Sequence, residues 1–349
     1  MNLTPLGRQR GLSLIELMIA ILLSAMLLWG VLQIFDSNRN TMRMQTAFAR
    51  VQESGRFAMD LLARQIRIAD YWGCAPDPGS IRNHLDTSDP DYVKAQDYLN
   101  SLGTQGILGT DDASGVTIGT KDVIDGTDIL YLRGSEDACG GTGRMVPSSQ
   151  AASIMASQNC QVAEGQTILL TNCQSGELMT ITNVQTGGGG SSLKRTLVHN
   201  TGSLADGYIE NATKDLQREY GADSRILVPY QRIYFIANND TTNTPSLFVS
   251  EDSGSSQELI PGIEDLQILY GFDTDNDDVV DTWKVADTDP NEMENVLALK
   301  VQLVAASDSG VNADDLTVTD LDGNDTTYSD GKLRKVYLTT TKIRNRGQM

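Results

Sequence analysis

Hydrophobic and polar positions fall into three regimes along the chain. Residues 1–11 (MNLTPLGRQRG) are polar and basic through Arg8 and Arg10. Leu12 to Phe35 (LSLIELMIAILLSAMLLWGVLQIF) is then apolar almost without a break. As a helix rising 1.5 Å per residue it spans roughly 36 Å, enough to cross a hydrocarbon layer of about 30 Å. Arginines before the run and none within it place the amino end in the cytoplasm and the rest outside. From Asp36 to Tyr71 apolar residues recur at Met44, Phe48, Val51, Met59, Leu62, Ile66 and Ala69, with Gly55 in register. Steps of three and four mark an amphipathic helix, and a stripe this wide packs under a sheet. The two patterns predict one helix over residues 12–71: a membrane half (12–35), then an amphipathic half (36–72 with its exit) on the head.

Past Trp72-Gly73-Cys74 the helical period stops. Residues 75–125 are rich in Asp, Ser, Gly and Thr, with one amphipathic stretch near Asp91–Leu102. β-type segments then alternate with turn clusters: Asp128–Arg133, Gln166–Thr171, Leu178–Val184, Leu193–His199, Arg225–Ala237 and Ser246–Ser250. Ile263–Tyr270, Val296–Ala305 and Leu333–Ile343 complete the set. Strands of this kind after one long helix predict an α+β chain whose head, residues 75–349, is built on a largely antiparallel sheet. Gly187–Gly190 reads as a hairpin tip. It lacks the following Lys-Ser/Thr of a phosphate-binding loop.

Charge narrows the functional classes. Lys and Arg total 27 against 46 Asp and Glu, a formal charge of −19. Nothing in that balance can neutralise a row of phosphates, so nucleic acid is excluded as a general partner. The balance suits a solvated extracytoplasmic surface or one that binds cations. The four cysteines, Cys74, Cys139, Cys160 and Cys173, all follow the apolar run and form no C-x-x-C pair. On the exported side they read as two disulfides with three possible connectivities. A short loop closes most easily, which favours Cys160–Cys173 with Cys74–Cys139. No G-x-S-x-G, HExxH or Walker motif occurs, so no enzyme is expected. His84 and His199 read as ordinary surface residues.

A carboxylate stands in the apolar run at Glu16, where insertion costs about 2.5–3.5 kcal/mol, and such residues usually mark function. Arg10-Gly11-Leu12-Ser13-Leu14-Ile15-Glu16 resembles the processing signal of type IV prepilins and type II secretion pseudopilins, commonly G-F-T-L-I-E. Leu12 and Ser13 depart mildly from the usual Phe and Thr. The resemblance implies cleavage after Gly11 by the membrane prepilin peptidase and N-methylation of Leu12. The new α-amino group can pair with Glu16, on its own or a neighbouring subunit, offsetting the cost of the buried carboxylate and setting an axial register. Later phrases, among them Gly262-Ile263-Glu264-Asp265-Leu266-Gln267, Leu333-Arg334-Lys335-Val336-Tyr337 and Arg344-Asn345-Arg346, are similar to PilW-type minor pilins, relatives of the J-type pseudopilin. Residues 225–346 carry this likeness, and 76–224 form a variable region without it.

What the resemblance implies is a type IV pilin-like fold and a minor pilin that supports assembly or initiation of the fibre. Its partners would be the other minor pilins, the major pilin and the peptidase. It would be held in the inner membrane by one span, head periplasmic, and pass into the fibre at the cell surface. A J-type secretion pseudopilin is the nearest rival, and a tip adhesin or ligand-binding subunit is the alternative of another class. One further element is read from the residues themselves. Asp273, Asp275, Asp277, the Val279 carbonyl and Asp281 offer oxygens at loop positions 1, 3, 5, 7 and 9, the spacing a Ca²⁺ ion takes. The pattern is incomplete, because Asp278 replaces the turn glycine and Lys284 stands where a bidentate Glu would be.

Overall fold

A computed structural model describes residues 13–73, 80–99, 105–140, 153–186, 194–202, 207–218, 220–221, 224–251, 255–311 and 314–346. The two hydrophobic patterns of the amino-terminal region form one helix, α1 (Leu14–Ile68). Its first half buries nothing: every large apolar residue from Leu14 to Phe35 is exposed, Trp29 and Leu27 by 70% and 72%. Its second half buries Ala47, Val51, Gly55, Ala58, Met59, Leu62 and Ile66. The expected stripe is therefore right from Val51 onward, but Met44 and Phe48 remain 38% and 48% exposed. Small Ala47 and Ala58 take buried places instead, because the head approaches the helix closely.

The helix stops at Ile68, short of the expected Tyr71, for a stereochemical reason. Asp70 adopts φ 61°, a left-handed conformation that ends the hydrogen-bond ladder. Its N–H donates to the Arg133 carbonyl, and its carboxylate accepts from Trp72 Nε1 at 2.8 Å and from Arg346 Nε. Asn345 Nδ2 donates to the orphaned carbonyls of Ile68 and Ala69 at 3.1 and 2.8 Å.

A short helix α2 (Pro90–Leu99) occupies the expected amphipathic stretch. The strands in chain order are β1 (Ile81–Asn83), β2 (Ile107–Ala113), β3 (Thr117–Ile118), β4 (Lys121–Asp122), β5 (Thr127–Asp137), β6 (Ser153–Ser157), β7 (Thr167–Thr171), β8 (Gly176–Thr180), β9 (Asn183–Thr186) and β10 (Lys194–Val198). They continue as β11 (Arg225–Asn238), β12 (Pro245–Glu251), β13 (Ser256–Pro261), β14 (Ile263–Phe272), β15 (Thr282–Lys284), β16 (Val296–Ala306), β17 (Leu316–Thr319), β18 (Asp325–Tyr328) and β19 (Arg334–Lys342). An eight-stranded sheet runs β1-β8-β7-β11-β12-β13, with β5 also on β11 and β2 on β5. A four-stranded sheet runs β15-β14-β16-β19, and smaller sheets join β6-β10-β9, β17-β18 and β3-β4. Only the β1–β8 pairing among these is parallel, so the head is antiparallel in the main, as expected.

The main core lies where α1 meets both large sheets. Val51, Ala58, Leu62 and Ile66 pack with Leu130, Leu132 and Ile236 of the first sheet and with Leu266, Ile268, Leu299, Val301 and Leu303 of the second. Close approach is tightest at Gly55, where an added Cβ would stand 2.1 Å from Cε2 of Tyr337 on β19. The Tyr337 hydroxyl donates to the Val51 carbonyl one turn earlier. A second core of Ile154, Ala156, Ile168, Leu170, Met179, Leu197 and Ile226 lies under the small β6-β10-β9 sheet.

Asp128 couples the two large sheets. A β-bulge at Asp111–Asp112 in β2 faces β5 near this residue. One carboxylate oxygen of Asp128 accepts from the Asp112 N–H at 3.0 Å, the other from the Ile268 N–H of β14 at 2.7 Å. Burial outweighs these two donors and pushes the Asp128 carboxyl up to about 8.

Two outcomes follow from this packing. Gly55→Ala should lower stability by about 1–3 kcal/mol through overpacking. On a Tyr337→Ala background the same change should stabilise by up to about 1 kcal/mol, since alanine is the better helix former and the ring is gone. Thermal melts of the four chains in detergent check the reversal of sign. As for pH, a carboxyl whose pKa is higher folded than unfolded stabilises fully below the unfolded value and loses that contribution as pH rises through the folded one. Between pH 5 and pH 8 Asp128 should thus cost the protein up to about 1.4 kcal/mol of stability per pH unit. Asp128→Asn should flatten the melting-temperature profile over that window; an unchanged slope would remove Asp128 as its cause.

Candidate functional site

The first candidate site is the start of α1. Gly11 and Leu12, the expected processing positions, lie outside the described residues. Immediately after them Ser13 caps the helix: its Oγ accepts from the Glu16 N–H at 3.2 Å, and Glu16 Oε2 accepts from the Ser13 N–H at 3.0 Å. This reciprocal box is why Ser13 serves as well as threonine in the motif. It also turns the Glu16 carboxylate back towards the helix start. Beyond it, α1 is the one helix among the described residues long and apolar enough to cross a membrane. A bare apolar surface of this extent needs lipid or other helices around it, so the chain is anchored as a single-pass membrane protein.

The second candidate is the turn between β14 and β15. Asp273 is buried, and its two oxygens accept the N–H groups of Asn276, Asp277 and Asp278 at 2.7, 3.2 and 2.9 Å. Three backbone donors are enough to hold a buried carboxylate without a counter-ion. Asp278, standing where the calcium pattern wants glycine, adopts φ 65°, and Asn276 adopts φ 61°. The turn geometry a glycine would supply is therefore present. Asp281 accepts from the Thr274 N–H and Oγ1, which holds its carboxyl below the ordinary value. The charges of Asp277 and Asp281 push the exposed Asp275 carboxyl above its ordinary value.

Oxygens of Asp273, Asp275 and Asp281 lie within 4.8 Å of one another, close enough to hold a metal ion. Asp277, from the same expected set, does not join this group; its Oδ1 accepts from the Val279 N–H at 2.9 Å. The donors are all hard oxygens, which fits an alkaline-earth ion and not zinc.

A second group of carboxylates went unnoticed in the sequence because its members are far apart in the chain. Burial and the charges of Asp322, Asp112 and Asp320 push Asp111 up to about 6. Burial, with nearby Asp320 and Asp112, also raises Asp265. Asp320-Leu-Asp322-Gly-Asn-Asp325 is the one local signal that could have drawn notice, a carboxylate-rich turn.

Two sequence expectations need correction. Cys139 is bonded to Cys160, not to Cys74, and Cys160 is therefore not the partner of Cys173. Loop length alone misled. The end of β5 lies against the turn after β6, where the Gln161 N–H donates to the Ala138 carbonyl, so the fold brings these two together. Cys173 is itself disulfide-bonded, and Cys74 lies outside the described residues. Both histidines are buried, not on the surface. His84 Nε2 pairs with the buried Glu177 carboxylate, whose other oxygen accepts from the Gln217 N–H at 3.1 Å.

Comparison with known proteins agrees with this geometry at both ends of the chain. Residues 6–32 match the prokaryotic N-terminal methylation motif. Residues 233–345, about a third of the chain, match the type IV pilus-assembly protein W family. No curated protein and no solved structure matches. The first match covers the capped start of α1; the second runs from β11 through every strand of the four-stranded sheet to Asn345, the residue that caps the end of α1. The chain is thus similar to type IV pilus-assembly protein W over residues 233–345 and carries the prokaryotic N-terminal methylation motif at residues 6–32.

Proposed function

We propose that the chain is a minor pilin that supports assembly or initiation of a type IV pilus. On this reading the prepilin peptidase cuts after Gly11, Leu12 is methylated, and Leu12–Phe35 holds the protein in the inner membrane with its head periplasmic. From there α1 enters the fibre alongside other minor pilins and the major pilin. The observation that carries the reading is α1 itself. One helix has a bare apolar half and a half fixed to the head, so a lateral move out of lipid into a helical bundle carries the head along unchanged. Glu16 is placed at the helix start, where the amine of a cleaved Leu12 would be its partner, on its own or an adjoining subunit.

The middle of the chain favours a second role in addition to the first. The β6-β10-β9 sheet has its own core and disulfide outside the matched region, which suits a surface peculiar to this subunit, such as an adhesive tip. Removal of that sheet with loss of attachment but intact piliation would assign it there. Loss of protein secretion with normal pili would instead place the chain in a secretion pseudopilus.

Processing gives the direct test. Coexpressed with the peptidase, the chain should yield a mature product beginning at methylated Leu12 by intact mass. Gly11→Leu should remain full length, and Glu16→Ala should be cut yet restore few fibres to a deletion strain. Full piliation by Glu16→Ala would remove the register role.

We further infer that the Asp273 loop takes Ca²⁺. Asp275 gains most, because a cation relieves the like charges that crowd it. Calorimetric titration of the full chain in detergent should lose one ion's worth of heat in the Asp275→Asn/Asp281→Asn variant. A variant that titrates as the parent does would refute calcium at this loop.

A further inference from the structure

The outer face of the four-stranded sheet carries a separate acidic cleft. The β17–β18 hairpin folds over β14 and β16: Val318 is buried, and Gln302 Nε2 donates to the Thr319 carbonyl at 3.1 Å. Between this hairpin, β14 and the turn at residues 124–127 lies a cleft of about 390 Å³ walled by Asp125, Asp265, Gln267 and Asp320, with Glu264 and Arg334 on its other side. At the back of it Gln267 is only 3% exposed. Its Nε2 donates to the Gly126 carbonyl and to Asp265 Oδ1, at 2.8 and 3.1 Å. Its Oε1 is buried with no hydrogen-bond partner.

The Asp111–Asp112 bulge adds a second orphan. Asp111 Oδ1 is also buried without a partner, and it lies within electrostatic reach of Asp322 and Asp320 at the hairpin tip. An unmatched buried oxygen destabilises the folded chain, so two beside one cluster ask for a shared positive partner. The one cation lining the cleft among the described residues, Arg334, is already paired with Glu264 and Asp330. Among the described residues Asp111, Asp265, Asp320 and Asp322 form no ion pair, whereas neighbouring Glu264 holds both Lys332 and Arg334.

We propose that this cleft is a divalent-cation site of the Ca²⁺ type, formed by Asp265, Gln267 Oε1 and Asp320 with Asp322 and Asp111 at its edge, and that occupancy clamps the β17–β18 hairpin onto the sheet. All the donors are hard oxygens drawn from separate elements of the fold, which suits the adaptable shell of calcium over the rigid octahedron of magnesium. The carboxylates here are not gathered within 4.8 Å as those of Asp273, Asp275 and Asp281 are. Binding therefore draws the hairpin tip inward. Its consequence is mechanical: the hairpin precedes β19, the strand against which Gly55 of α1 is packed.

The test uses the full chain in detergent, stripped with chelator and titrated with Ca²⁺, read by calorimetry and by hydrogen exchange of residues 316–328. Two ions should bind if the Asp273 loop also takes calcium, one if it does not, and exchange of the hairpin should slow in either case. Asp320→Asn/Asp322→Asn should abolish that slowing and one ion's heat. Asp275→Asn/Asp281→Asn should leave the slowing intact, which separates failure at one site from failure at the other. Gln267→Met keeps the volume and removes the oxygen, and should weaken this ion by roughly tenfold. Hairpin exchange unmoved by millimolar Ca²⁺ overturns the proposal, as does an Asp320→Asn/Asp322→Asn chain, its hairpin protected as in the parent before calcium, that titrates like the parent.

Discussion

The end of α1 is the constraint on which the head depends. A helix that stops inside a protein leaves carbonyls without partners, and here it also leaves the Asp70 carboxylate only 13% exposed. Both debts are settled by residues from the other end of the chain. Asn345 takes the carbonyls of Ile68 and Ala69; Arg346 takes Asp70 and, through NH1, the carbonyls of Met293 and Val296. The Asp70 N–H meanwhile reaches Arg133 of the first sheet. Helix, both large sheets and the carboxy-terminal segment thus meet at one buried knot, and none can shift without leaving a charged or polar group unmatched.

That knot explains why α1 can act as a lever. Arg232 of β11 adds a bond to Gln65 on the last helical turns, and Tyr337 clasps the backbone at Val51 and Gly55. The helix is held along its length from Ala47 onward, while the large apolar residues from Leu14 to Phe35 are exposed. Free at one end and fixed at the other, it can exchange lipid for neighbouring helices without repacking the head. On the proposed function, fibre entry would then cost the core no interaction.

Much of this was legible in the sequence because it is periodic. The 3.6-residue spacing from Val51 to Ile66 gave the helix face, and β-branched runs such as Arg225–Ala237 and Val296–Ala305 gave the central strands nearly to the residue. What escaped was long-range. Phe48 and Met44 continue the apolar stripe, yet the head does not extend over them. Ile107–Ala113 is too acidic to read as a strand, since nothing local says that Asp111 and Asp112 form a bulge opposite Asp128. The cysteine pairing was misjudged for the same reason: loop length is local, and the approach of β5 to the turn after β6 is not. His84 and Glu177 are 93 residues apart, and only the parallel β1–β8 pairing brings them together in the interior.

Net charge of −19 looks like simple solubility until the acids are sorted by how each is compensated. Asp273 is neutralised by backbone N–H groups, Asp70 and Glu264 by arginines, and Asp128 by two N–H groups that do not fully offset its burial. Asp111, Asp265, Asp320 and Asp322 form no ion pair among the described residues; Asp320 has only the N–H groups of Asp322 and Asn324, and Asp265 accepts from the amide of Gln267. Their positions are instructive. They lie on the outer face of the sheet and at its seam with the first sheet, opposite the face that seats α1, so their repulsion acts on the hairpin and bulge and not on the helix. With Arg334 committed to Glu264 and Asp330, the proposed cleft would draw its balancing charge from solution. Whatever ion supplies it would then act on the same sheet that the pilus-assembly match covers and that holds the helix in place.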